Sequence, residues 1–128
     1  MSRNRNGFTI IELLVVILVI GILTGIALPK LGASRDKAKL AAVLSDMRDA
    51  ETAEEAYYAD NGGYATFPQL QAATNFAVSP GTAMTITPGT DGYTVDASNG
   101  SITTGPTSCT VAVGSGVSAT VDSKITCP

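Results

Sequence analysis

The chain has 128 residues, 45% of them hydrophobic and 5% aromatic, and a formal charge of −3 from 8 basic and 11 acidic side chains. That length holds one modest core rather than two, and the acidic balance with few aromatic rings disfavours nucleic acid as the main partner, since phosphate binding needs a basic patch. The sequence lacks histidine, a nucleophile beside an evident base, a Gly-rich phosphate loop with its lysine and ligands at metal spacing, so it reads as a non-enzymatic chain without a cofactor.

Met1 to Gly7 (MSRNRNG) is a short leader with Arg3, Arg5 and no acid. From Phe8 to Leu28 follow 21 residues with one ionisable side chain, Glu12. As a helix they span about 31 Å, close to the hydrocarbon thickness of a bilayer. The leader charges favour a cytoplasmic N-terminus, whereas Lys30, Arg35, Lys37 and Lys39 weigh the other way, so charge alone leaves the orientation open. A secretory signal cut after the Gly25-Ile26-Ala27 triplet is one alternative. Glu12 argues against it, because a carboxylate at mid-bilayer costs about 2.5 to 3.5 kcal/mol and such acids have a partner or a task. If the chain is cut after Gly7, Phe8 presents a positive α-amine that a neighbouring copy's Glu12 can neutralise. Such a pair sets axial register between copies more than it adds stability.

Gly21 and Gly25 each weaken the helix by about 1 kcal/mol, and Pro29 removes the hydrogen bond to the Gly25 carbonyl. Gly21 to Pro29 is therefore expected to kink or unwind. The other reading is that Gly21-x-x-x-Gly25 gives a close helix-packing surface. After Pro29 the pattern becomes amphipathic. Leu40, Val43, Leu44, Met47, Ala50, Ala53 and Tyr57 recur at helical steps, with Asp46, Arg48, Asp49, Glu51, Glu54 and Glu55 between them on a face expected to meet solvent or neighbouring copies. This predicts a helix over 30–59, stopped by Asp60-Asn61-Gly62-Gly63. A connection over 60–82 follows, with a short helix or loop anchored by Leu70 and Phe76.

Beyond Thr82 the period becomes two. Residues 83–87, 93–97, 101–104, 110–113 and 117–121 are short β-prone runs, and Asn99-Gly100 between the second and third is the strongest hairpin signal. A small antiparallel sheet over 83–128 is expected, laid against the second helix. Cys109 and Cys127, the only cysteines, suit a disulfide in an oxidising compartment, with two buried thiols as the alternative. Asp91 and Asp96 could share a calcium ion, but scattered surface acids explain them as well, so no metal ligand is assigned.

The run Gly7-Phe8-Thr9-Ile10-Ile11-Glu12, between a basic leader and an unbroken aliphatic stretch, resembles the class III leader of type IV prepilins and type II secretion pseudopilins. The segment Tyr57 to Tyr64, followed by Phe67-Pro68, is similar to the chain leaving the long helix in those proteins. The resemblance implies the α+β pilin fold, in which a long N-terminal helix, hydrophobic then amphipathic and kinked near Pro29, packs on a small C-terminal sheet. It implies cleavage after Gly7 by a prepilin peptidase, N-methylation of Phe8, and pairing of Glu12 with the Phe8 amine. The other partners it implies are membrane lipid before assembly, an inner-membrane platform and an assembly ATPase. The expected product is a homo-oligomeric helical filament, made from an inner-membrane precursor and carried on the cell surface for adhesion, motility or DNA uptake. The alternatives are a type II secretion pseudopilin and a single-pass anchored binding domain that never polymerises.

Overall fold

The structure, a computed structural model, describes residues 7–115 and 124–128. Its elements are α1 (Ile10–Asn61), α2 (Phe67–Thr74), β1 (Ala83–Pro88), β2 (Asp91–Ser98) and β3 (Ser108–Ser115). Two compact units divide the chain, Met1–Ser34 and Arg35–Pro128.

In the first unit α1 remains helical through Gly21, Gly25 and Pro29. The expected unwinding there is thus not a property of the single chain. Pro29 deletes one N–H from a long ladder of bonds, and the helix carries that loss. Side-chain hydroxyls add local bonds on either side, from Thr24 to the Ile20 carbonyl at 2.6 Å and from Ser34 to the Lys30 carbonyl at 3.1 Å. The apolar and amphipathic stretches, expected to be continuous or bent at their junction, form one continuous helix to Asn61.

The second unit is a helix–sheet sandwich, as the change of period predicts. The sheet is antiparallel in the order β1-β2-β3, with Ile86 opposite Val95 and Val95 opposite Val111. Met84, Ile86, Tyr93, Val95, Ala97, Cys109 and Val111 share the buried core with Val43, Met47 and Ala50 of α1 and Leu70 of α2. Burying each large apolar side chain among them contributes about 1.5 to 3 kcal/mol. Phe76 is half-buried and meets Phe67 edge-on at 6.1 Å between centroids.

The strands differ from the expected set in two ways. Asn99-Gly100 does begin a turn, with the Ile102 N–H donating to the Asn99 carbonyl at 3.2 Å, but Ser101 to Thr104 is no strand. Thr103 and Thr104 each turn both N–H and hydroxyl onto Asp36 Oδ2, at 2.7 to 3.1 Å, and these bonds replace a ladder. The tight hairpin lies instead between β1 and β2, around Gly89 and Thr90. The β2–β3 pairing closes on Gly92 opposite Gly114. A Cβ on either residue would run into the backbone of the facing strand, and Gly114 has φ +89°, a conformation that favours glycine. The β-prone run 117–121 lies outside the described residues. Cys109 and Cys127 are joined in a disulfide, and beside it Thr110 and Thr126 exchange both backbone hydrogen bonds, at 2.8 and 2.9 Å.

The face of α1 expected to be solvated is not wholly so. Asp36, Asp46 and Glu54 are buried along the stripe that meets the sheet, and each fastens a different crossing segment. Asp36 holds Thr103 and Thr104, and the hydroxyl and amide donors of those threonines keep its carboxyl well below the usual carboxylate range. Asp46 accepts the Ser79 N–H and hydroxyl, both at 2.9 Å. Glu54 accepts the Ala65 N–H at 2.9 Å. Buried carboxylates that accept backbone N–H groups settle the accounting for loops that would otherwise carry unpaired donors.

Candidate functional site: the exposed N-terminal helix

From Phe8 to Leu31 every large apolar side chain stays about half exposed or more, from Val19 at 47% to Phe8 at 89%. Such a surface far exceeds what a free soluble chain leaves open and marks a membrane or protein contact. The helix is long and apolar enough to cross a bilayer, with none of its most apolar window buried.

The one carboxylate in this stretch is held in a defined place. α1 starts at Ile10 because Thr9 caps it: the Thr9 hydroxyl accepts the Glu12 N–H at 3.3 Å, while the Thr9 N–H and hydroxyl donate to Glu12 Oε2 at 2.8 and 2.7 Å. This is a capping box, reciprocal between the N-cap and the third helical residue. It turns Glu12 back toward the chain start, where the helix dipole favours an anion. Both Thr9 donors land on Oε2, and no donor among the described residues is bonded to Oε1. Thr9 is the residue that the reading of the sequence missed as a participant, although Thr-x-x-Glu before an apolar run spells the box.

Gly7 and Phe8 are exposed next to this box, and a Cβ at Gly7 would meet nothing within 4 Å. Any demand for glycine at position 7 therefore comes from what reads this site and not from the chain's own packing. Gly21 and Gly25 likewise have open space where a side chain would stand. Pro29 lies a turn after Gly25 on the same exposed helix. Cys109 and Cys127 stand in the other unit and take no part in the segment. Asp91 and Asp96 both lie on β2, where Asp96 accepts the Thr110 hydroxyl at 2.6 Å.

Residues 2–28 match the model of the prokaryotic N-terminal methylation motif. The chain is 41% identical over 71 residues to type II secretion system core protein G of Klebsiella michiganensis, covering 55% of this chain and 50% of that protein. It is 44% identical over 62 residues to the type IV wide pilus major component PilA4 of Thermus thermophilus, covering 48% and 47%. Protein G of Escherichia coli is 37% identical over 68 residues, covering 53% and 47%. The chain thus spans about half the length of the curated relatives it matches.

Proposed function

We propose that this chain, which by its N-terminal segment belongs with the type IV pilins and type II secretion pseudopilins, is a structural subunit of a type IV pilus. The observation that carries this is the exposed apolar stretch of α1 with one carboxylate, held by Thr9 through Oε2 at its start and with no donor among the described residues on Oε1. A subunit of this kind enters the inner membrane by residues 8–29 and is cut after Gly7 by a prepilin peptidase that also methylates Phe8. It is then moved by an assembly platform and ATPase into a filament whose core is this helix. Glu12 Oε1 of one copy receives the Phe8 amine of another, which fixes the stagger. No step calls for catalysis by the chain itself.

Electron microscopy of material sheared from the cell surface, with mass spectrometry of its subunits, tests the reading. Long fibres built from a chain that begins at N-methylated Phe8 are expected. Chains that keep Met1, begin after Ala27 or occur only as dispersed monomers would overturn it. The repeated similarity to protein G favours one second reading, a pseudopilin in a short periplasmic fibre. That reading predicts no surface fibres, and a secretion defect when the gene is deleted.

Substituting Gly7 with a bulky residue is expected to leave folding and insertion intact and to accumulate a precursor that still carries MSRNRNG. Mature chains from that variant would remove the assigned cut. Gly21, Gly25 and Pro29 are assigned to extension of the helix on assembly, because the two glycines and the missing N–H make this the stretch that opens at least cost. A high-resolution filament map with unbroken α-helical bonding from Gly21 to Lys30 would leave only close helix packing for the two glycines.

A further inference from the structure

Glu54 is wholly shut off from solvent, and the fastening of Ala65 accounts for only one of its oxygens. Oε1 has no partner among the described residues, and neither has the hydroxyl of Tyr93, which is 1% exposed. The two are not hydrogen-bonded to each other but lie within electrostatic reach in one buried compartment, together with Glu51, whose Oε1 also has no partner among the described residues. Tyr64, the neighbour of Ala65, lays its ring 4.9 Å from that of Tyr93 and 4.8 Å from that of Tyr58.

The charges that act on Tyr93 are of one sign. Glu51 and Glu55 reach the compartment from α1, Tyr64 from the connecting segment and Tyr93 from β2. α2, β1 and β3 contribute no titrating side chain, since their sequences hold none beyond the bridged Cys109. Arg48, on α1, acts on Glu51, and the one ion pair among the described residues joins Lys39 to Asp36. A fully buried carboxyl with one oxygen unpartnered among the described residues and no ion-pair partner among them is pushed toward its neutral form by the cost of burying a charge.

We propose that Glu54 is carried as the neutral acid at neutral pH, and that loss of its proton releases the segment 62–66 from α1, which makes this contact an alkali-sensitive latch. A protonated Glu54 still accepts the Ala65 N–H on Oε2 and no longer carries a charge on the unpartnered Oε1. Burial pushes the Glu54 carboxyl up against the opposing effect of the Ala65 bond. Burial, and then the charges of Glu51, Glu54 and Glu55, push the Tyr93 phenol up. The folded chain therefore holds a proton that the unfolded chain gives up at about pH 4.3. The stability this proton carries is complete below that value and declines as pH rises toward the folded-state value.

Glu54→Gln tests the latch in the full chain in detergent, because glutamine keeps an acceptor for Ala65, supplies a donor and cannot ionise. Its melting temperature, followed by near-ultraviolet circular dichroism of the tyrosines, is expected to match the unsubstituted protein near pH 4 and to exceed it by a margin that widens steadily toward pH 8. A difference of either sign that stays constant across this range overturns the proposal. Infrared spectra of the unsubstituted protein labelled with 13C-glutamate give a second measurement that needs no variant. A protonated-carboxyl carbonyl band at neutral pH, fading in alkali, supports the latch, and its absence overturns it.

Discussion

Glu12→Ala is expected to insert in the membrane at least as well as the unsubstituted chain while forming almost no fibres. Insertion improves because the substitution removes a charge that costs up to about 2.5 to 3.5 kcal/mol in hydrocarbon. Assembly fails because the Phe8 amine of the neighbouring copy is then enclosed among apolar helices without a counter-charge, and stripping one partner from a buried pair costs about 3 to 5 kcal/mol. Since about 1.4 kcal/mol is a factor of ten in an equilibrium, a loss of that size at each contact takes fibre yield below detection. The Thr9 box complicates the alanine variant, because the cap goes with the charge. Glu12→Gln separates the two, since an amide oxygen still accepts from Thr9. Immunoblots of sheared and membrane fractions check both variants; normal fibre yield from the glutamine variant would remove the charge pair from the assembly.

The second large effect concerns the opposite end of the chain. Breaking the Cys109–Cys127 bridge, by serine substitution or by reductant, is expected to cost about 3 kcal/mol, the value for a loop of its general length in the chain-entropy account. For a unit of this size that lowers the melting temperature by roughly 12 to 24 °C. Cys109 is fully buried and its neighbour Thr110 pairs with Thr126, so the loss of the bridge also lets that short pairing open. Thermal melts with and without reductant, alongside a thiol assay, check this. An unchanged melting temperature with both thiols titrating would show that the bridge contributes nothing.

The parts of this fold legible in the sequence are those where nothing competes with a single pattern. Phe8 to Leu28 has no polar alternative, and Val43, Met47 and Ala50 keep a helical period against a sheet of period two. Asp36, Asp46 and Glu54 were not legible as buried groups. Their partners include main-chain donors at Thr103, Thr104, Ser79 and Ala65, which leave no mark in a sequence, and the hydroxyls that join them at Asp36 and Asp46 lie 33 or more residues away. The same contact undid the hairpin expected at Asn99-Gly100, because Ser101 to Thr104 has strand-forming residues but Asp36 offers its donors a closer acceptor. At the candidate site Gly7, Phe8 and Glu12 could be read as a pattern, whereas Thr9 drew no notice because a threonine beside isoleucines resembles ordinary filler until its hydroxyl is placed.

Fastening by acids on one rod has a consequence for how the outer part of this molecule can change over time. Asp36, Asp46 and Glu54 each grip a different stretch at its main chain, with threonine and serine hydroxyls joining in at Asp36 and Asp46. Exposed tips of the three stretches are thus free to be rewritten, one at a time, with new residues or new lengths, while their roots stay tethered. Such a surface could be redrawn piecemeal in this way without disturbing the helix that holds it.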